Sequence, residues 1–148
     1  MIIRKAKPED APTIKELYFN YLTRFPPRED QDMALWKEMI SRFQQDEKMH
    51  LLVAEEEGRV VSTVQMAIVE TLTHHVRPFA VIENVVTHPD WRNKGYASAL
   101  LEEATRIARG KRCYKVMLET GSDKESTLNF YRQNGFVIDE KHSCLKRL

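Results

Sequence analysis

The chain has 148 residues, 42% hydrophobic and 30% charged, which suits one folded domain spanning residues 1–148 with a real core. Basic and acidic side chains nearly cancel to a formal charge of +1, so nucleic-acid binding as a main role is excluded and any anion site must be local. No apolar run approaches the ~20 residues of a membrane span. The start MIIRKAKPED lacks a signal-peptide apolar core, and the two cysteines, Cys113 and Cys144, are expected as reduced thiols in a cytoplasmic protein.

In chain order, residues 2–6 (IIRKA) predict a first strand. Pro8, Glu9 and Asp10 open a helix with acids in its first turn. Its apolar face is Ile14, Leu17, Tyr18, Tyr21 and Leu22, and the loop Arg24-Phe25-Pro26-Pro27-Arg28 ends it. A second helix carries Leu35, Trp36, Met39, Ile40 and Phe43 on one face. Residues 50–56 and 59–70 read as a hairpin about Glu57-Gly58, with Val60, Val64, Met66 and Ile68 sharing a face by period two. The loop TLTHHVRP leads to AVIENVVTH, the most apolar strand, which Pro89 stops.

A helix is expected from about Lys94 to Arg109, with Ala97, Leu100, Leu101, Ala104, Ile107 and Ala108 inward and Gly110 as its C-terminal cap. CYKVMLET reads as a strand. Ser122-x-x-Glu125 reads as a capping box for a last helix closing at Asn134-Gly135. FVID and HSCLKRL read as two closing strands. The strand–helix–strand stretch 80–119 predicts a parallel crossover, and the rest is mostly antiparallel. The expected fold is α+β, three-layered α/β/α, on one mixed sheet.

The junction NVVTHPDWRNKGYASALL runs from a strand through a basic glycine turn into a helix. Such a start leaves backbone N–H groups unpaired, and these bind anions, phosphates above all. The segment Arg92-x-x-Gly95-x-Ala97 therefore reads as a pyrophosphate cradle. Gly95 permits close backbone approach, amides from Asn93 through Lys94, Gly95, Tyr96 and Ala97 to Ser98 face the phosphates, and Arg92 and Lys94 add charge at the rim. An ordinary basic helix start is the competing reading. No P-loop and no G-x-G-x-x-G occurs.

The junction, with Phe130-Tyr131-Arg132-Gln133-Asn134-Gly135-Phe136 some way after it, resembles the GNAT superfamily of acyl-CoA N-acyltransferases. The resemblance covers nearly the whole chain in element order, and residues 80–137 carry its specific part. It implies acetyl-CoA as acetyl donor, with its pyrophosphate at Arg92–Ala97. It also implies two splayed parallel strands, the pantetheine arm lying against backbone groups of Val85, Val86 and Thr87. Tyr131 matches the family's general acid. An Asn that often contacts the cofactor arm is replaced here by Lys124; Asn129 or Ser126 would have to substitute.

Acetyl transfer to an amine must remove a proton from an ammonium and deliver one to a thiolate, each step typically worth ~10²- to 10⁴-fold. Glu83 is the candidate base, because a carboxylate is out of place in AVIENVVTH and partial burial would raise its pKa. Strict alternation would put Asn84 with Ile82 and Val86, opposite Glu83, unless a bulge intervenes. No nucleophile is needed, so direct transfer in a ternary complex is expected. No metal is expected: His74-His75 makes a poor ligand pair. The basic cluster Arg106, Arg109, Lys111 and Arg112 reads either as a solvated helix end or as a site for the CoA 3′-phosphate.

The acceptor is expected to be a small amine. Arg24, Arg28, Arg77 and the two histidines make an anionic one plausible. The run IENVVTHPDWRNKGYA, followed by CYKVMLET and NFYRQNGF, looks most like the glucosamine-6-phosphate N-acetyltransferase branch, although Asn84 stands where that branch often has Asp. Peptide N-termini and other amines stay open. So does a binding module that holds acyl-CoA without turnover, and so does homodimerisation.

Overall fold

The structure, a computed structural model, describes residues 1–148. Its strands are β1 (Ile2–Lys5), β2 (Met49–Glu56), β3 (Arg59–Val69), β4 (Phe79–Thr87) and β5 (Val116–Leu118). Its helices are α1 (Ala11–Leu17), α2 (Met33–Gln45), the single turn α3 (Thr73–Val76), α4 (Tyr96–Gly110) and α5 (Glu125–Gln133). A 3-10 turn, Pro8–Asp10, precedes α1, and a π-turn, Tyr18–Leu22, continues it. The strands form one sheet in the order β1-β2-β3-β4-β5, antiparallel except for the parallel pair β4–β5.

Each face of the sheet buries its own core. Ile14 and Leu17 of α1 and Ile40 of α2 pack with Leu51, Val53, Val60 and Val86. On the other face Leu100, Leu101, Ala104 and Ala108 of α4, with Tyr131 of α5, pack with Leu52, Ala54, Val64, Met66 and Ile82. Leu51 to Ala54 thus alternate between the cores, as a strand buried on both faces must. The helical spacings read from the sequence supply the two outer layers.

Two bulges break the alternation. Glu55 pairs with Val60 but Ala54 with Ser62, so β3 has one extra residue there. Val60 therefore faces the α1/α2 core while Val61, Val64, Met66 and Ile68 face the α4 core, which corrects the single face expected for Val60 and Val64. In β4, Glu83 opposes Gln65 and Val86 opposes Thr63, so Asn84 and Val85 together span a single residue of β3. Asn84 takes φ 56, a left-handed conformation that asparagine tolerates better than most side chains. Past it Val86 faces the α1/α2 core and Val85 packs on the other, reversing what strict alternation gives.

The carboxyl-terminal expectations are corrected. β5 is only Val116–Leu118, and neither FVID nor HSCLKRL forms a strand. Phe136 and Ile138 do pack on the core, which is the alternation seen in the sequence. Residues 139–148 are exposed, save none, and carry Glu140, Lys141, Lys146 and Arg147, so no apolar face drives a ladder. Gly110 is the last helical residue rather than the cap; the left-handed residue is Arg112, φ 62. Lys124, not Ser122, is the N-cap of α5. Ser122 Oγ instead accepts from Lys124 N at 3.3 Å and pairs with Thr127 Oγ1 at 3.3 Å.

The start of the chain is pinned by charge. Arg4 grips buried Asp10 through two bonds of 2.7 and 3.0 Å and reaches Glu55 at 2.7 Å, while Lys7 N donates to Asp10 at 2.8 Å. The bonds to Asp10 hold the Arg4 guanidinium above its ordinary pKa against a smaller opposing effect of burial. Asp10→Ala is expected to cost about 2 kcal/mol, since it strips a paired, buried carboxylate from two donors. Arg59→Ala, which breaks only the half-exposed 3.4 Å pair with Glu16, should cost under about 1 kcal/mol. Urea midpoints of the two variants check the difference.

Candidate active site

The parallel pairing of β4 and β5 covers only Ala80↔Val116, Val81↔Met117 and Ile82↔Leu118. β5 ends there, while β4 runs on through the bulge to Thr87. Beyond Ile82, then, β4 has an open edge on the β5 side. His88 N donates to Val61 O at 2.9 Å, and Ser62 Oγ donates to Val86 O at 2.9 Å. Those groups are spent on the β3 side. By backbone alternation the main-chain groups of Val85 and Thr87 face the open edge, and those of Val86 do not.

The open edge leads into the helix start. A 3-10 turn, Pro89–Trp91, carries the chain round, and Asn93 and Gly95 take φ 59 and φ 87. Gly95 is the N-cap of α4, and no side chain caps the helix. The amides of residues 93–98 donate to no backbone carbonyl; the first helical bond there is Ala99 N to Gly95 O at 2.9 Å. Together with the helix dipole they form a concentrated anion-binding surface. A Cβ on Gly95 would meet nothing within 4 Å, so its need for glycine is conformational, with open space above the turn.

The side chains of the turn settle differently. Arg92 Nε donates to Thr87 O at 3.2 Å, tying the turn back to β4. Lys94 Nζ lies 4.8 Å above the Trp91 ring. Tyr96 turns inward, and its hydroxyl donates to Glu56 at 3.1 Å, so only its amide remains at the helix start. Asn93, Lys94 and Gly95 are exposed, and Ala97 and Ser98 are half-buried.

Tyr131 is 7% exposed, between Phe130 and Phe136 at ring-centroid distances of 5.1 and 6.0 Å. Its hydroxyl makes no hydrogen bond within the protein, and burial pushes its pKa up, so at neutral pH it is an O–H donor. Asn129 is exposed, and its Oδ1 accepts from Arg132 at 2.7 Å. Lys124 and Ser126 are exposed as well.

Glu83 lies on the other face of β4, opposite Gln65, and is exposed rather than partly buried as expected. Asn84 Nδ2 reaches Gln65 Oε1 at 3.4 Å. The π-turn packs against this half of β4 and supplies two tyrosines that the helical spacing assigned only to packing. Tyr21 OH lies 3.4 Å from His88 Nε2, with the rings edge to face at 5.0 Å. His88 is buried, and its Nδ1 accepts from Asp90 N at 3.3 Å, which puts the proton of the neutral ring on Nε2, facing Tyr21. The buried hydroxyl of Tyr18 has no hydrogen-bond partner.

His74, His75 and Arg77 do not join this site. α3 winds left-handed, with His74, His75 and Val76 at φ 54, 60 and 59, and His74 stacks on Tyr114 at 3.7 Å. That is the closed end of the β4–β5 pair, roughly 25 Å of strand from Thr87. No group of three or more metal-ligating side chains comes together. No helix is long and apolar enough to cross a membrane.

Comparison with known proteins agrees with this geometry. A family model described as acetyltransferase (GNAT) family matches residues 12–136. A glucosamine 6-phosphate N-acetyltransferase of Trypanosoma brucei brucei is 35% identical over 88 residues, 60% of this chain and 58% of that one. Streptothricin acetyltransferase A of Bacillus subtilis is 35% identical over 60 residues, 40% of this chain and 35% of that one. The matches thus span less than two thirds of either relative. A solved structure from Agrobacterium tumefaciens str. C58, described as an acetyltransferase candidate, is 33% identical over 99% of this chain and 100% of its own, with a TM-score of 0.86. The open-edged strand, the uncapped helix start and the matched family model have one explanation: the chain is a member of the GNAT acetyltransferase family.

Proposed function

We propose that the protein moves an acetyl group from acetyl-CoA to a primary amine by direct transfer within a ternary complex. The observation that carries this reading is the open edge of β4 running into the unpaired amides of residues 93–98. Those amides suit a pyrophosphate without needing a cationic clamp, and the main-chain groups of Val85 and Thr87 suit an extended amide-bearing arm. Acetyl-CoA supplies an activated thioester there. A backbone N–H of β4 polarises the thioester carbonyl.

The two proton tasks fall on opposite faces of β4. Tyr131, on the α4/α5 face, protonates the departing thiolate. Glu83, on the α1/α2 face, holds the ammonium and takes its proton, directly or through water, before attack. The rest of the acceleration comes from holding amine and thioester in line. The acceptor is a small amine. Similarity to the trypanosomal relative over 88 residues places glucosamine 6-phosphate among the acceptors to test.

The experiment is thiol release from acetyl-CoA across a panel of amines that includes glucosamine 6-phosphate. Release with one of them is the expected outcome. Tight acetyl-CoA binding with no release from any small amine or peptide would replace the enzyme with a binding module. Tyr131→Phe should lower kcat about 100-fold while calorimetry shows an unchanged Kd for acetyl-CoA; an equal loss of binding would assign the ring a packing role alone. Glu83→Gln should flatten the acidic limb of the kcat/KM profile, since a base is lost as pH falls through its pKa. An unchanged profile removes Glu83 from proton transfer.

A further inference from the structure

His88 joins three elements at the point where β4 hands the chain to the turn before α4. Its backbone N–H donates to Val61 O of β3 at 2.9 Å. Its ring is 8% exposed, and both ring nitrogens have partners. Nδ1 accepts from Asp90 N at 3.3 Å and so caps the 3-10 turn Pro89–Trp91. Nε2 meets Tyr21 OH of the π-turn at 3.4 Å.

The cap needs a lone pair on Nδ1, which the neutral ring supplies with its proton on Nε2. Protonation adds an N–H at Nδ1, and that N–H faces the N–H of Asp90, donor against donor. The partner left for it is the Asp90 carboxylate, 3.8 Å from Nδ1. That carboxylate is 83% exposed, so protonation replaces a backbone tie with a weak surface ion pair. The Nε2 contact with Tyr21 is the same in both forms. The other charged groups nearby are already engaged. Arg92, just past the turn, donates to Thr87 O, and Arg59 at the start of β3 pairs with Glu16 of α1.

The capped turn leads directly into Asn93 at φ 59 and Gly95 at φ 87, the start of the stretch of unpaired amides. Binding an anion on oriented N–H groups depends on the backbone that orients them. A turn fixed at its first residue presents those groups ready-made. A turn released there must be ordered again by the ligand, which weakens binding. The new charge on the ring would attract an anion, but the Asp90 carboxylate offsets it, so loss of the cap is the larger effect.

We infer that His88 is a positioning residue for the acyl donor: its neutral ring ties the Pro89–Trp91 turn in the form that binds phosphate, and its protonation releases that turn. The inference rests on the proposed reading of residues 93–98 as the donor's pyrophosphate site. Donor affinity then falls with acid, across the range of about pH 8 to 5 in which histidine takes its charge. Asparagine supplies an acceptor oxygen to such turns without titrating, so it separates the cap from the charge.

The test is a calorimetric Kd profile from about pH 8 to about pH 5.5. The probe is acetyl-dephospho-CoA, because the 3′-phosphate of acetyl-CoA itself titrates at about pH 6. The native protein should bind about tenfold more weakly at the acid end, the size of one hydrogen bond. His88→Asn should show a flat profile, and His88→Ala should bind weakly throughout. With donor saturating, native protein and His88→Asn should share one kcat profile, since Glu83 and Tyr131 are untouched, and differ only in donor KM. Circular dichroism at each pH separates release of the turn from unfolding. A flat native profile, or tighter binding in acid, overturns the inference and leaves the donor site intact. An acid loss that His88→Asn shares overturns it too, because another group then causes the loss. Absence of donor binding at every pH overturns the pyrophosphate reading, and this inference with it.

Discussion

One extra residue in β4 organises the rest of the site. Asn84 and Val85 together oppose a single residue of β3, and Asn84 absorbs the mismatch at φ 56. Before the bulge, Ile82 faces the α4 core and is still paired with Leu118. After it, Val86 faces the opposite core and the strand has no partner on its outer edge. A bulge increases local twist and turns a strand away from its neighbour. The separation of β4 from β5 and the reversal of its faces are thus one event in the backbone. Without the extra residue, Val86 would press into the α4 core and Val85 into the α1/α2 core.

The same strand delivers the chain to the helix start. Arg92 holds Thr87 O, and Trp91 takes Lys94 on one side and meets the Tyr96 ring edge to face at 5.8 Å on the other. Tyr96 in turn donates to Glu56, which the N-terminal ammonium also reaches at 2.7 Å. Those contacts use up side chains that a motif reading assigns to phosphate charge. They fix the turn from below while its amides stay free above. Affinity for an anion at such a site comes chiefly from oriented N–H groups and the helix dipole. Under the proposed reading, a chain with a formal charge of +1 can therefore hold a phosphate there without a cationic clamp.

The sheet-facing helices, the hairpin and the junction were legible because each is written in local spacing: the 3.6-residue stripe of α4, the Glu57-Gly58 turn, the glycine after a basic run. The bulges were not, because nothing local in Asn84 or Val61 shows which residue is extra; only the partner strand does. That is why Val60 was assigned to the wrong face and why strict alternation misplaces Val86. Tyr18 and Tyr21 fit the apolar stripe of a helix, and the π-turn that redirects them is invisible to a fixed period. FVID and HSCLKRL have strand-like composition but find no ladder, since β-propensity describes fit to a sheet already present. For Glu83 partial burial was the wrong inference, since its side chain is exposed.

That openness bears on how protons would move under the proposed reading. Glu83 is exposed on its face of β4. An exposed carboxylate is better suited to attracting an ammonium and passing its proton to water already in contact with bulk. Tyr131 has the opposite surroundings, closed in by Phe130, Phe136 and α4. A thiolate leaving on that face meets a hydroxyl that burial keeps protonated. The exposed Glu83 side chain suits the group that must shed a proton to solvent, and the buried Tyr131 suits the group that must hold one until it is needed. The bulge lies past Glu83, so ordinary alternation sets the face of Glu83, and the bulge sets those of Val85 and Val86.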